Sequence, residues 1–390
     1  MVQSYTYKTD RFNIPVGSCK FKTQFVNLYK ARIDTQKPQL EKCAKEVHKE
    51  VLVLTPLTNL VKDERSFVAG VLYKEAPLKR NILKEMAEEE DLNNIDLNLN
   101  QVEKIIFPYD SILTYIPREL DIPQTIVGFV SGLCFPGTGA NFENAHLNGL
   151  TLLGDWIRTC SNLKKLIICG NLIKLSQTSN NLPKFITRKS EAASFSAMKL
   201  FDQWLADLPL GSDSNGISVD ILPGSNDCVS QMLPQQPFHA CCLPKSVARS
   251  GRDKNSLKSL TNPAMCQIND RLLVISSGQN VNDIYRHTDM LDSLDILEQN
   301  LQWGHLAPTC PDTLFGYPIG EVDPLCLVGN DERPDIYVVG NVYKSQGARF
   351  KRLNEGKGSL IISMPEFSES QSLVLVDLSN LSCKIVNFHE

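Results

Sequence analysis

Ile126-Val127-Gly128-Phe129-Val130-Ser131-Gly132-Leu133 is a short apolar run that stops at a hydroxyl and a glycine. The same punctuation recurs three times. Leu166 to Cys169 ends in Gly170-Asn171. Val219 to Leu222 passes through Pro223 into Gly224-Ser225-Asn226-Asp227. Ile336 to Val339 ends in Gly340-Asn341-Val342-Tyr343. Short, near-continuous apolar runs bounded by turn residues fit strands buried on both faces. Such strands predict a layered α/β domain in which the loops after the strand carboxyl ends converge on one crevice.

Working outward, helical and strand-like segments alternate from Thr125 onward, as a layered α/β or mixed-sheet domain requires. Ser190 to Leu208 reads as a helix, with Ala193, Ala197, Phe201, Trp204, Leu205 and Leu208 on one face and Lys199, Asp202, Gln203 and Asp207 on the other. Leu294, Leu297 and Leu301 mark a second helix. Pro244 to Ser259 carries Lys245, Arg249, Arg252, Lys254 and Lys258 and reads as a solvated surface loop. Ser359 to Met364, Leu373 to Val376 and Cys383 to Phe388 read as strands, the last two joined as a hairpin through Ser379-Asn380.

Upstream, residues 47–124 read as a small β-rich unit: Phe67, Ala69, Val71 and Tyr73 alternate, and Val102 to Ile116 offers one or two more strands. Residues 1–46 are polar, with Phe21, Phe25, Leu28, Tyr29 and Ile33 at helical spacing. They predict an amphipathic helix that clasps the body. The expected division is therefore 1–46, 47–124 and 125–390.

A chain of 390 residues is long for one core. Its net charge of −4 argues against gripping a nucleic-acid backbone by bulk charge. No secretory leader and no membrane-length apolar run is visible. The twelve cysteines contain no Cys-x-x-Cys and read as small buried hydrophobes of a reducing, intracellular compartment.

The order and spacing of the strand ends resemble the calcineurin-type metallophosphoesterase pattern, whose strand ends carry Asp-x-His, Gly-Asp, Gly-Asn-His-Asp and Gly-His-x-His. Two-metal phosphoester hydrolysis needs carboxylates and imidazoles around cations about 4 Å apart. Against that pattern Ser131 and Leu133 stand where Asp and His would be, and Asn171 replaces the bridging Asp. Ser225 and Asn226 occupy the Asn-His positions, Asp227 alone matches, and Asn341 and Tyr343 replace the last histidines. Neutral amides and hydroxyls are poor ligands for divalent ions. These eight positions are the expected remnant of a metal site, with no catalytic residue, no cofactor and no metal. His305 reads as a hydrogen-bonding turn residue.

Longer runs carry a more specific resemblance. Leu222-Pro223-Gly224, LPQQPFH (Leu233 to His239), Thr261-Asn262-Pro263, Ser277-Gly278-Gln279-Asn280-Val281, HLAPTCPDTL (His305 to Leu314), PDIYVVGN (Pro334 to Asn341) and Gly70 to Glu85 resemble the B-type small accessory subunits of replicative DNA polymerases, the delta class above all. The resemblance implies an oligonucleotide/oligosaccharide-binding (OB) barrel over 47–124, packed on an inactive calcineurin-like domain of layered mixed sheets flanked by helices over 125–390. The family's OB region carries more strands between the equivalents of Gln101 and Ile106, so a shortened barrel is implied. It further implies a nuclear scaffold in DNA replication and repair, with no enzymatic activity of its own. Such a scaffold bridges the cysteine-rich C-terminal module of the polymerase delta catalytic subunit to a third subunit. The family also resembles the accessory subunit shared with polymerase zeta, and DNA is met weakly or through the holoenzyme. Two alternatives stand beside it: a metal-dependent phosphodiesterase or nuclease using Asp227 with Asp155, Asp220 or His305, and a single-strand binder using Tyr73, Phe107, Tyr109 and Tyr115.

Overall fold

The computed structural model describes residues 5–8, 11–15, 21, 25–47, 55–63, 66–70, 126–137, 144–160, 162–174, 188–211, 216–251, 255–318, 322–327, 332–343, 347–353 and 358–388. Two mixed sheets face one another. The first runs β14(Ser382–Asn387)-β13(Ser372–Asp377)-β2(Ile126–Val130)-β4(Leu163–Cys169)-β6(Ser218–Leu222)-β7(Leu257–Ser259). The second runs β1(Tyr5–Tyr7)-β8(Ala264–Ile268)-β9(Arg271–Ser276)-β10(Ile336–Val339)-β12(Leu360–Ser363)-β11(Arg349–Arg352). A short parallel pair, β3(Phe135–Pro136) and β5(Ile173–Lys174), lies beyond the ends of β2 and β4.

Each sheet has a parallel centre, β2-β4-β6-β7 in one and β9-β10-β12 in the other. Antiparallel strands finish the rest. One apolar layer fills the space between the sheets: Phe129, Ile167, Cys169 and Leu222 from one side meet Leu273, Ile275, Val338 and Ile362 from the other. The outer face of the first sheet packs on α2(Asn144–Thr159) and α3(Arg188–Ala206), through Leu153, Ile157, Ala197, Phe201 and Leu205. The outer face of the second packs on α5(Gln279–His287) and α6(Ser293–Trp303), through Val281, Ile284, Leu294, Leu297 and Leu301. The architecture is therefore helix, sheet, sheet, helix. The strands read from the sequence as apolar on both faces are those buried on both faces.

The interlayer also holds charge. Lys165 Nζ lies 2.8 Å from Asp220 Oδ2, both buried. β1 covers the pair: the Tyr5 hydroxyl donates to Asp220, Tyr7 Oη donates to Asp220 Oδ1 at 3.1 Å, and Lys165 Nζ sits 3.8 Å above the Tyr5 ring. A buried ion pair this enclosed holds only when its remaining donors and acceptors are satisfied.

Helix α1(Val26–Val47) seats on residues of 303–312 and on Asp323. Tyr29 donates to Asp312, Arg32 Nη2 donates to the Cys310 carbonyl at 2.8 Å, and Gln36 Nε2 donates to the Trp303 carbonyl at 3.2 Å. The clasping helix expected from the periodicity is present. Its start lies past Phe21, which is exposed.

Two segments differ from the sequence reading. Pro244 to Ser259, read as a loop, contains α4(Pro244–Ser250) and the edge strand β7. Asp202 explains the helix: its Oδ1 accepts from Ser246 N and its Oδ2 from Lys245 N, both at 2.9 Å, so a residue of α3 caps α4 from a distance. Tyr5 to Tyr7, unassigned from sequence, is β1, because its pairing partner lies some 260 residues away. The C-terminal hairpin forms as read, with Ser372 opposite Asn387 and Asp377 opposite Ser382. Most of the 47–124 unit, including Tyr73, Phe107, Tyr109, Tyr115 and the Glu88–Asp91 run, lies outside the described residues. Among the described residues no helix is long and apolar enough to cross a membrane.

Candidate functional site

The carboxyl ends of β2, β4, β6, β9, β10 and β12 meet at one end of the sandwich. Ser131, Asn171, Asp227 and Asn341 come together there. Ser131 Oγ donates to the Pro365 carbonyl at 2.8 Å and accepts from Asn341 N at 3.2 Å. Asn341 Nδ2 donates to the carbonyls of Cys169 and Ser277, at 2.7 and 3.0 Å. Asn171 Oδ1 accepts from Ser225 Oγ and Asn226 N, each at 3.2 Å. Asn171 and Asn341 both hold positive φ, +53° and +52°, a region that asparagine tolerates better than other residues with a Cβ. The amides thus turn the chain and tie neighbouring strand ends together.

Leu133 is not in the crevice. Its side chain is fully buried in the layer under α2 and α3, because the chain turns over after Gly132. Tyr343 is half exposed, and it contributes its backbone N–H, which donates to Asn282 Oδ1 at 2.9 Å.

Asp227 is buried and bonds to backbone N–H groups. Its Oδ1 accepts from Leu172 N at 2.8 Å and Ile173 N at 3.3 Å, and its Oδ2 accepts from Gly224 N at 2.8 Å. Burial pushes the carboxyl up to about 6, and the same backbone N–H groups limit the rise. The one carboxylate that matches the phosphoesterase pattern is spent on tying its own loop to the loop after β4.

A second carboxylate was missed from sequence. Glu366, just past β12, accepts from Asn171 Nδ2 at 2.8 Å and from Ser368 Oγ at 3.2 Å. Also missed was an amide lattice roofing the crevice. Asn262 Nδ2 lies 2.7 Å from Gln235 Oε1 and 2.7 Å from Ser277 Oγ, and Gln279 Nε2 donates to Gln235 Oε1 at 2.8 Å. Gln235 Nε2 in turn donates to the Gly224 carbonyl at 3.2 Å. These residues come from LPQQPFH, TNP and SGQNV. The signal was present as unexplained sequence runs, but nothing local to any run showed that they meet.

The loops touch directly. A Cβ on Gly170 would lie 2.6 Å from Ser277 Cβ and 2.8 Å from Gly224 Cα, and one on Gly340 would lie 2.5 Å from Ser131 Cβ. Glycine is required at both for backbone approach. This donor set, mostly amides and hydroxyls with two carboxylates already engaged, does not fit a pair of divalent cations.

Asp155, Asp220 and His305 do not complement Asp227. Asp155 is exposed on α2 beside Arg158, and Asp220 pairs with Lys165. His305 belongs to a separate buried cluster under α1. Its Nε2 lies 3.0 Å from Asp323 Oδ2, its Nδ1 accepts from Ala307 N at 3.1 Å, and Arg32 Nε donates to the same Asp323 oxygen at 2.7 Å. Among the described residues, His305, Asp323 and Cys326 are the acidic, His or Cys side chains whose ligand atoms gather closely enough for a metal. Arg32 already supplies the cation there, and both imidazole nitrogens are engaged. Burial alone would push Asp323 up, but the His305 hydrogen bond and the charges of His305 and Arg32 hold it well below the carboxylate range. Burial depresses His305, against the pull of Asp323.

The family model for the B subunit of DNA polymerase alpha/epsilon matches residues 127–348, and that for the DNA polymerase delta subunit OB-fold domain matches residues 24–112, which takes in α1. DNA polymerase delta subunit 2 of Drosophila melanogaster is 36% identical over 270 residues, 66% of this chain and 59% of the relative. The probable DNA polymerase delta small subunit of Caenorhabditis elegans is 25% identical over 461 positions, covering 99% of this chain and 98% of the relative. The DNA polymerase delta small subunit of Saccharomyces cerevisiae is 32% identical over 60% of this chain and 49% of its own length. Two of these three matches thus span about half to three fifths of the relative. A solved cold-active protein-tyrosine phosphatase of a Shewanella species aligns with 75% of this chain and 89% of its own at 14% identity, but its TM-score of 0.27 assigns no fold. With more than half of its residues matched by the first of these models, from the second strand to the loop before β11, this chain belongs to the family of DNA polymerase alpha/epsilon B subunits.

Proposed function

We propose that the chain is a non-catalytic accessory subunit of a delta-class DNA polymerase, built on a calcineurin-like phosphoesterase frame whose metal site has been lost. The observation that carries this reading is the closed crevice: strand ends that would cradle two cations instead bond to one another through Asn171, Asn341 and the Gln235–Asn262–Ser277–Gln279 lattice. Ser131, Leu133, Asn171, Ser225, Asn226, Asp227, Asn341 and Tyr343 are the remnant ligand positions in this reading, Asp227 alone keeping the family's residue. The similarity to delta small subunits supports the assembly. The subunit's work is then to hold the cysteine-rich C-terminal module of the catalytic subunit and a third subunit together, in the nucleus, during replication and repair. A polymerase zeta catalytic subunit would use the same surface.

Co-expression with a delta catalytic subunit, followed by affinity capture through this chain, tests the proposal. Stoichiometric recovery of the catalytic subunit is expected, lost when that subunit's C-terminal module is deleted. Capture that ignores the module sinks the reading. Manganese-dependent phosphodiesterase activity that vanishes on Asp227→Ala would replace it with the nuclease alternative.

A further inference from the structure

The second sheet ends in β11, and among the described residues no strand pairs with its outer edge. Its pairing with β12 is antiparallel, with Arg349 opposite Ser363 and Arg352 opposite Leu360. Leu360 N donates to the Asp335 carbonyl on the β10 side, and Leu353 N donates to the Ser359 carbonyl. Bonding directions alternate along a strand. Arg349 and Lys351 therefore bond to β12, while the N–H and C=O groups of Phe350 and Arg352 point away from the sheet.

All four residues of β11 are exposed. Phe350 lies opposite Ile362 and Arg352 opposite Leu360, both of the interlayer core, so these two side chains sit on that face. The layer is open there. Phe350 is 43% exposed, and Cys383 and Ile385 of β14, the edge of the other sheet, are only half covered in the same layer. The opposite face of β11 is charged. Arg349 lies 2.8 Å from Asp292 and Lys351 lies 2.7 Å from Glu298. The bases reach further into solvent than the acids that hold them, 49 and 47% against 33 and 23%, so the rim is positive. No acid among the described residues pairs with Arg352.

We propose that β11 is a docking edge for an extended, acidic segment of another protein, which adds to the sheet as a further strand. The outward groups of Phe350 and Arg352 supply the backbone bonds of such an addition. Acidic residues of the guest meet Arg349, Lys351 and Arg352, and its apolar residues cover Phe350 and the open end of the layer. A second copy does not fit, because β11 laid against β11 sets Arg and Lys opposite one another. A nucleic-acid strand answers the charge but has no ladder of N–H and C=O groups at strand spacing. The inference does not depend on the accessory-subunit reading.

The probe is a short fluorescein-labelled peptide of alternating Glu and Val, titrated with the full chain by fluorescence anisotropy. Saturable binding is expected, at least about tenfold tighter than for a Lys–Val peptide and weaker as salt rises. Arg352→Pro removes an outward N–H without touching the ladder to β12, a place where an edge strand tolerates proline, and should abolish binding. Lys351→Glu/Arg352→Glu keeps the backbone and should weaken binding about tenfold. Circular dichroism of each variant separates lost binding from lost fold. Equal affinity for the two peptides overturns the proposal, as does binding that survives Arg352→Pro. Oligothymidylate that displaces the peptide and binds wild type and Arg352→Pro alike overturns it in favour of single-stranded nucleic acid. A dimer of the free chain that Arg352→Pro dissolves overturns it in favour of a second copy.

Discussion

The strand-end crevice and the socket under α1 are both buried and polar, yet they solve burial in opposite ways. The crevice is neutral where it can be. Amides tie strand ends together, and Asp227 is held by backbone N–H groups. The socket is ionic: Arg32 and His305 both bond to a single oxygen of Asp323. Neutral lattices lose one hydrogen bond at a time, whereas an ionic socket that loses its cation strands a charge. The contrast separates two jobs. The crevice closes a domain on itself, and the socket fastens one part of the chain to another.

Four measurements probe that contrast. Arg32→Leu removes the cation from a carboxylate that is 1% exposed. It should cost the most, about 3–5 kcal/mol by denaturant midpoint, and should expose α1 to limited proteolysis while the sandwich stays protected. A loss under about 1 kcal/mol would mean the socket is wetter than described. Gly224→Ala places a Cβ onto Asn171 N and Oδ1 and should cost about 3 kcal/mol. Full tolerance would show an open crevice and revive a ligand site. Asp227→Asn turns an amide N–H toward backbone donors and should cost about 2 kcal/mol, with α1 unaffected.

The smallest effect is in pH, and its sign differs between the two regions. Asp227 is raised to about 6 from its ordinary 3.8, so the folded state binds more protons between those values. The crevice therefore gains stability as pH falls through that window. Asp323 and His305 are both depressed. The His305 contribution falls away as pH drops below about 6.5, and that of Asp323 as pH drops below about 4. Between pH 7 and 4, hydrogen exchange should show α1 loosening relative to β2, β4 and β6. The same slope in both regions would contradict the assigned environments.

Much of the sandwich was legible because its signals are local. Apolar runs ending in glycine gave β2, β4, β6 and β10, and the face of Ala197, Phe201 and Leu205 gave α3. Hidden features depended on distant partners. Pro244 to Ser250 has the composition of a loop and becomes a helix because Asp202 caps it. Leu133 has the spacing of a ligand position, but the turn at Gly132 sends it inward. Glu366 has no motif of its own and matters only because Asn171 reaches it. The runs LPQQPFH and HLAPTCPDTL stand out as unusual in the sequence. In the fold the first roofs the crevice and the second receives Arg32.

Strand β1 closes over Lys165 and Asp220 only by pairing with Ala264–Ile268. On a ribosome, those partners emerge long after Tyr5 to Tyr7. Until then the two charges stay hydrated and the leading segment stays extended, available to chaperones or to the edge of another nascent copy. The closing of this lid is therefore a late step of folding, set by the distance along the chain between the lid and what it pairs with.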